Sequence, residues 1–208
     1  AYVGSREASP ILIEGLKRLE YRGYDSAGAA VISDGDLRIS RSVGRVRGLE
    51  EQLETEKNFS GSIGIAHTRW ATHGGVTQEN AHPHCDDETL GHSIALVHNG
   101  IIENYVSIKK WLEEKGHKFT SETDTEVLAH LIGELYDGDL EHAVQSALRE
   151  VTGAYAIAVV CAKEPDVMVV GRKGSPLMIG VGADEYVVAS DSNAIVAHTK
   201  QAFTLDDY

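Results

Sequence analysis

The chain has 208 residues and a formal net charge of −13. That length fits one domain with a sizeable buried core, and the acidic balance argues against nucleic acid or an anionic membrane surface as the main partner. No apolar run approaches the roughly 18 residues that a membrane-spanning helix needs, and the N-terminal residues lack the pattern of a signal peptide. Two cysteines, Cys85 and Cys161, are too few for a disulfide framework and indicate a reducing, cytoplasmic setting.

The first quarter of the chain predicts a helix, a β-hairpin and a second helix. Ser9 and Pro10 are residue types that favour an N-cap and a first helical position. The apolar residues that follow recur at helical spacing: Ile11, Leu12, Leu16 and Leu19. Strand-like stretches on both sides of Asp34-Gly35 predict a hairpin over 29–42. Residues 49–56 predict a short acidic helix.

Two strands in the middle of the chain run into polar segments. Ser62 to Ala66 alternates in polarity as a half-buried strand does, and the string H-T-R-W-A-T-H-G follows it at 67–74. Ile94 to Val97 predicts a second strand, which leads into His98-Asn99-Gly100. The polar, His-rich residues 77–88 between these strands predict a loop.

The rest of the chain predicts three helices followed by short strands. Residues 106–115 predict a helix with Trp111 and Leu112 facing inward, and a third helix covers 140–151. Between them, Thr123 and Glu126 have the spacing of a capping box at the start of a helix. Short apolar stretches after residue 153 predict antiparallel strands. This order predicts an α+β fold in which helices cover two antiparallel sheets.

Arg69 and Asp124 are candidates for binding the two ends of an amino acid. A planar guanidinium can grip a carboxylate through two parallel hydrogen bonds, and a carboxylate can accept hydrogen bonds from an ammonium group. For each residue a structural role is the alternative, since Arg69 follows a strand and Asp124 lies in the first helical turn, where the dipole favours an acid.

Asn99-Gly100 has two interpretations. An Asn side-chain amide and a Gly backbone N–H can point at one oxygen, as an oxyanion hole requires. Asn-Gly is also a common turn dipeptide, which is the structural alternative.

The histidines of the central region raise the question of a metal site. Six histidines lie between His67 and His98, and His82-Pro83-His84 is followed directly by Cys85. These residues lack the spacing of familiar zinc sites. Satisfied structural hydrogen bonds are therefore the default interpretation, and a metal-binding structural domain is the competing hypothesis.

Taken together, five strings of the sequence resemble the glutaminase domain of glutamine–fructose-6-phosphate amidotransferases. This family belongs to the class II, or N-terminal-nucleophile, glutamine amidotransferases. The strings are L-E-Y-R-G-Y-D-S-A-G at 19–28, H-T-R-W-A-T-H-G at 67–74, H-N-G-I-I-E-N at 98–104, S-E-T-D-T-E at 121–126 and G-S-P-L at 174–177. They occur in the family's order, and they extend over essentially the whole chain.

The resemblance implies one domain over 1–208 with a four-layer αββα fold and no cofactor. It implies hydrolysis of L-glutamine to glutamate and ammonia, as part of an enzyme that makes glucosamine 6-phosphate from fructose 6-phosphate. The implied roles are Arg69, Thr72 and His73 for the substrate α-carboxylate, Asp124 for its α-ammonium, Asn99 and Gly100 for the oxyanion hole, Trp70 for a loop that gates ammonia passage, and Arg22 for a place near the nucleophile.

Two features of the family have no counterpart in these residues. Its nucleophile is an N-terminal cysteine, in a start that resembles C-G-I-V followed by residues like Ala1-Tyr2-Val3-Gly4. We therefore predict a cysteine before Ala1 in the natural protein; without it, the chain would be a catalytically silent glutamine-binding or regulatory domain. The family also continues into C-terminal sugar-phosphate isomerase domains, and the resemblance implies a homodimer at full length.

Overall fold

A computed structural model describes residues 1–71, 74–86, 91 and 94–207 of the chain. Most of its helices and longer strands lie where the sequence pattern predicts them. The elements are β1 (Tyr2–Gly4), α1 (Ala8–Leu19), β2 (Ser26–Ser33), β3 (Asp36–Val43), α2 (Val46–Thr55), β4 (Ile63–Arg69), β5 (His84–Cys85), β6 (Ile94–Ile102), α3 (Tyr105–Glu114), α4 (Asp124–Leu135), α5 (Leu140–Glu150), β7 (Gly153–Cys161), β8 (Glu164–Lys173), β9 (Met178–Gly182), β10 (Glu185–Ala189) and β11 (Ala202–Thr204).

The strands form two antiparallel sheets. The first sheet has the order β11-β9-β10-β1-β4-β2-β3, and the second has the order β5-β6-β7-β8. Strands β7 and β8 therefore belong to the second sheet, whereas β9 and β10 return to the first. In the first sheet β1 lies between β10 and β4, with Tyr2 opposite Val187 on one side and Gly64 on the other.

Alternation along the strands divides the apolar core between layers. On β2, Ala29 and Val31 pack with α1 and α2, whereas Ala30 and Ile32 pack with residues of the second sheet. The opposite face of the second sheet packs against α3, α4 and α5. The layers are thus helix, sheet, sheet and helix, as predicted. No helix in the described part of the chain is long and apolar enough to cross a membrane.

Tertiary contacts move the start of α1 away from the predicted cap. The helix begins at Ala8, and its N-cap residue Glu7 makes no side-chain capping bond. Ser9 lies inside the helix and donates to the Phe59 carbonyl at 2.8 Å, while Glu7 accepts from the Gly61 N–H at 2.6 Å. The prediction of Ser9 as N-cap is therefore wrong, because the loop before β4 binds the side chains that a local cap would use.

The predicted inward position of Trp111 is also wrong. Leu112 is fully buried, but Trp111 is 41% exposed. The Lys115 ammonium lies 4.5 Å from the centroid of the Trp111 ring, in cation–π geometry. The indole is therefore covered by a neighbouring cation on the outer face of α3 instead of by the core.

Gly28 is the point at which β2 meets the loop that precedes β5. A Cβ at Gly28 would lie 2.1 Å from the His82 carbonyl oxygen, which real Cβ atoms do not tolerate. The loop backbone therefore packs directly on the strand at His82, whose ring stacks on that of His67 in β4.

Gly28→Ala should destabilise the fold by overpacking, typically by about 1–3 kcal/mol, which corresponds to a fall of roughly 2–12 °C in Tm for a chain of this size. Gly15→Ala in α1 is the matched control, since its Cβ would meet only Ala194 Cβ at 3.8 Å. This control should raise stability by about 0.4–1 kcal/mol. Thermal unfolding followed by circular dichroism measures both, and an unchanged Tm for Gly28→Ala would contradict the proposed packing.

Candidate active site

One cavity of about 290 Å³ collects most of the predicted site residues. It is lined by β4, β6 and β7, by α1, and by the start of α4. The predicted residues that line it are Arg22, Arg69, Trp70, Asn99, Gly100 and Asp124. Thr72 and His73 lie outside the described residues. The cavity thus brings together residues that are far apart in the chain; Arg22 and Asp124, for example, are separated by 102 positions.

The polar segments begin inside the strands and not after them. Strand β4 continues through His67 to Arg69, and β6 continues through Asn99 and Gly100 to Ile102. Asn99 pairs with Ala156 and Gly100 with Tyr155 in the ladder with β7. The turn interpretation of Asn99-Gly100 is therefore wrong, because both residues lie in a paired strand that faces the cavity.

Gly100 occupies a position that a larger residue would disrupt. Its φ is +150°, and a Cβ there would lie 2.0 Å from the Ala154 carbonyl oxygen. The backbones of β6 and β7 approach closely at this point, so the main chain of Gly100 reaches the cavity without a side chain to cover it.

Arg69 is held in place at the cavity wall. Its side chain is buried, with only 4% of the residue exposed, and Nη1 donates to the Gly75 carbonyl at 2.9 Å. Burial lowers the pKa of the Arg69 guanidinium, while the carboxylates of Asp25, Asp124 and Glu122 act in the opposite direction. The guanidinium remains a cation, surrounded by acids that stabilise its charge.

Asp124 connects α4 to the second sheet. It is the first residue of α4, and its Oδ2 accepts from the Ile102 backbone N–H at 2.8 Å. The hydroxyl oxygen of the next residue, Thr125, lies 3.0 Å from His98 Nδ1. These contacts fix the carboxylate beside the cavity end of β6.

The Y-R-G-Y-D-S segment supports the end of β4. Asp25 accepts from the Ala71 N–H at 2.9 Å, and the Asp25 N–H donates to the Arg69 carbonyl at 3.1 Å. Asp25 was not among the predicted site residues, although it lies within a string that carries the family resemblance. Its contacts show how this string and the H-T-R-W-A string form one unit.

Arg22 and Trp70 lie at the rim of the cavity. Trp70 is 61% exposed, and its ring meets Tyr24 edge-on with 5.9 Å between centroids. Arg22 Nη1 lies 3.6 Å from an oxygen of Asp191, on the segment that follows β10. The rim therefore combines exposed aromatic rings with one ion pair.

Three neighbouring histidines form a neutral group at the cavity: His82 and His84 are buried, His67 is half-buried, and His67 and His82 line the cavity. The rings of His67 and His82 stack at 4.3 Å, and His84 meets His82 edge-on at 4.9 Å. Burial lowers the pKa of His67 and of His84 to about 3, and it also lowers the pKa of His82. Among the residues that the structure describes, no group of three or more His, Cys, Asp or Glu is arranged to hold a metal ion, so the metal hypothesis gains no support there.

The segment before α4 is organised around the Glu126 carboxylate. Thr123 caps the helix by accepting from the Glu126 N–H at 3.2 Å, which confirms half of the predicted capping box. The Glu126 side chain, however, accepts from the N–H and hydroxyl groups of Thr120 and Ser121 at 2.7–2.8 Å, and not from Thr123. Burial alone would raise the pKa of Glu126, but these hydrogen bonds outweigh it and the pKa is lowered.

Comparison with known proteins identifies relatives of the chain. A family described as a glutamine amidotransferase domain matches residues 67–197. Glutamine–fructose-6-phosphate aminotransferases (isomerizing) of Clostridium tetani and Bordetella pertussis are each 53% identical over 206 residues, and that of Chlorobaculum tepidum is 51% identical over 212. The similarity covers 99% of this chain and 33–34% of each relative, so the chain spans about a third of the length of these proteins.

Solved structures share the fold. A glutamine phosphoribosylpyrophosphate amidotransferase from B. subtilis is 32% identical with a TM-score of 0.81, and the similarity covers 95% of this chain and 43% of that one. A structure described as the allosteric regulatory enzyme of purine biosynthesis is 33% identical with a TM-score of 0.82 and the same coverage. These similarities confirm the predicted four-layer fold of N-terminal-nucleophile hydrolases.

Glu126→Gln should remove a stabilising contribution that depends on pH. Because the folded-state pKa of Glu126 is lowered, the contribution is fully present above the unfolded pKa of about 4.3 and is lost as pH falls through the folded value. Hydrogen bonds to a charged group are worth about 1.5–3 kcal/mol, and we expect a loss of that size at pH 7. Urea unfolding at pH 7 and pH 3 measures the difference in free energy of unfolding between the variant and the unmodified protein, with Glu113→Gln at an exposed position as control. If this difference is not smaller at pH 3 than at pH 7, the stabilising role of the Glu126 carboxylate is contradicted.

Proposed function

This chain belongs to the glutamine amidotransferase domain family, and on that basis we propose that its cavity binds L-glutamine and releases the side-chain nitrogen as ammonia. The observation that carries the proposal is that Arg69 and Asp124 line the same cavity. A buried guanidinium and a fixed carboxylate complement the α-carboxylate and α-ammonium of a free amino acid. The side-chain amide of such a ligand would then extend along the cavity.

The two ends of glutamine are assigned to different layers of the fold. Arg69, with Thr72 and His73, binds the α-carboxylate. Asp124 binds the α-ammonium, and because its Oδ2 accepts from Ile102, we assign Oδ1 to the substrate. This division makes the site dependent on the position of β4 relative to α4.

Asn99 and Gly100 form the proposed oxyanion hole. In an antiparallel strand the N–H groups of alternate residues point to the same edge, and the Ile102 N–H points to Asp124 and not to β7. The Gly100 N–H therefore points to that same edge of β6, while Asn99, on the face of β6 that Val97 shares, lines the cavity. Both donors would stabilise the negative charge that develops on the amide oxygen during nucleophilic attack.

The nucleophile in this proposal is a cysteine that precedes Ala1 in the natural protein. Its thiolate attacks the amide carbon, and its own free α-amino group, acting as the base, carries the thiol proton to the leaving nitrogen, which departs as ammonia. Water then hydrolyses the resulting thioester to glutamate and regenerates the thiol. The register of β1 on β4 pairs Tyr2 with Gly64, so a residue four positions before Ala1 would pair with Arg69 beside the cavity. Arg22 would lie near this thiol, and Trp70 would border the path by which ammonia leaves.

The two cysteines of the chain are poor substitutes for that nucleophile. Cys161 is fully buried in β7, and burial raises the pKa of its thiol, which makes it inert. Cys85 lies on β5 and is not part of the cavity lining. If no cysteine precedes Ala1, the chain is a silent glutamine-binding module, which binds glutamine but does not hydrolyse it.

For the full-length protein we propose the activity of its curated relatives. Ammonia released in this domain would pass to C-terminal sugar-phosphate isomerase domains and convert fructose 6-phosphate to glucosamine 6-phosphate. That protein would be a cytoplasmic homodimer. The glutaminase domain alone would release its ammonia to water.

Arg69→Ala in the full-length protein should raise the KM for glutamine about 10- to 150-fold, because a charge-assisted hydrogen bond contributes about 1.5–3 kcal/mol. The KM of Arg69→Lys should lie between those of the unmodified protein and Arg69→Ala, since lysine keeps the positive charge but lacks the planar guanidinium. Steady-state glutaminase assays measure both, with exposed Arg38→Ala on β3 as control. An unchanged KM for Arg69→Ala would contradict the assigned role.

Asn99→Ala should lower kcat for glutamine hydrolysis about 100- to 1,000-fold while changing KM little, because the contact strengthens only as charge develops on the oxygen. Asn99→Asp, which places an acceptor there, should lower kcat at least as far. Both are measured in the same assay at saturating glutamine. A pure KM effect would exclude Asn99 from the oxyanion hole.

A further inference from the structure

Asn80 and Glu122 join the two halves of the site directly. Asn80 lies in the loop between β4 and β5, and Glu122 lies two residues before Asp124. The Glu122 N–H donates to Asn80 Oδ1 at 2.9 Å, and Asn80 Nδ2 donates to Glu122 Oε2 at 3.1 Å. This reciprocal pair ties the segment that leads into α4 to the segment that follows β4.

The same two side chains hold the peptide that supports Arg69. Glu122 Oε2 accepts from the Gly75 N–H at 3.1 Å, and Asn80 Nδ2 donates to the Gly75 carbonyl at 3.1 Å. That carbonyl is the acceptor for Arg69 Nη1 at 2.9 Å. A chain of hydrogen bonds therefore runs from Arg69 through Gly75 to Asn80 and Glu122.

The burial of Asn80 and the charge of the exposed Glu122 carboxylate both favour this connection. Asn80 is 2% exposed, so its amide would carry the cost of unpaired buried groups if these bonds were broken. The hydrogen bond from Asn80, followed by that from Gly75, lowers the pKa of Glu122, which keeps its carboxylate ionised as an acceptor. Neither Asn80 nor Glu122 lines the cavity, so neither is placed to contact a ligand there.

We propose that Asn80 and Glu122 are positioning residues that fix Arg69 relative to Asp124, and thereby set the spacing of the two groups that bind the α-carboxylate and α-ammonium of a free α-amino acid. The inference rests on the proposed function. It predicts that the pair acts on substrate binding through Arg69 and not on the chemical step, which occurs at the other end of the ligand.

Asn80→Ala in the full-length protein should raise the KM for glutamine about tenfold with kcat within twofold of the unmodified enzyme. A misplacement of about 1 Å can cost as much as 100-fold, so tenfold corresponds to a modest displacement of the guanidinium. The adjacent exposed residue provides the control, Glu79→Ala, which should leave both constants unchanged.

A double-mutant cycle separates positioning from general support of the fold. If Asn80 acts through Arg69, Asn80→Ala should raise KM no further in an Arg69→Ala background. Three results would overturn the inference. The first is a KM for Asn80→Ala within threefold of that of the unmodified enzyme, and the second is a fall in its kcat in place of a rise in KM. The third is a full additional rise in KM when Asn80→Ala is added to the Arg69→Ala background.

Glu122 supplies a second test that does not depend on a buried substitution. Glu122→Ala should reproduce the rise in KM, whereas Glu122→Gln should stay within threefold, because its amide oxygen can still accept from Asn80 and Gly75. Equal effects of the two variants would overturn the hydrogen-bonding role. If the unmodified full-length protein itself hydrolyses no glutamine, the proposed function fails and this inference fails with it; activity without the expected KM effects overturns the inference alone.

Discussion

The face-to-face packing of the two sheets is the constraint on which the site depends. Each sheet contributes one strand, β4 or β6, whose end carries polar residues at the margin of the apolar layer between them. Buried polar groups require partners, and the partners come from outside the sheets. Asp25 supports the backbone at the end of β4, and Asp124 accepts from the backbone of β6. The cavity exists because the sheets stay close while their polar ends are satisfied by neighbouring loops and helices.

The distribution of charge around the cavity follows from the same constraint. A cation buried without compensation would be costly, and three carboxylates oppose the effect of burial on Arg69. The nearby imidazoles are neutral because burial disfavours their charged form. Among the described residues that line the cavity, Arg69 is a buried cation and Asp124 a buried anion, a pairing that matches a zwitterion better than an anion or a cation alone.

Local patterns predicted the elements well, and long-range contacts decided the details. The hairpin around Asp34-Gly35 and the apolar stripes of the helices depend on neighbours in sequence, and they form as predicted. The N-cap of α1 was wrong because Ser9 binds the distant Phe59 carbonyl. The sequence pattern predicts strand ends that fall too early, because polar residues such as His67 and Asn99 favour a loop although both lie in paired strands. The contact between Asn80 and Glu122 could not be identified from sequence, since the two residues lie 42 positions apart.

The buried histidines bear on how pH acts on this site. His67 and His82 stack between the first sheet and the loop that packs on β2, and His82 also lies 3.4 Å from the Thr125 hydroxyl in α4. A charge on either ring would carry the free-energy cost of desolvation. Because burial holds the pKa of His67 at about 3 and lowers that of His82 well below its usual value, both rings are neutral near pH 7. His67 and His82 therefore line the cavity without adding charge to it near neutral pH, so neither competes electrostatically with Arg69 or Asp124.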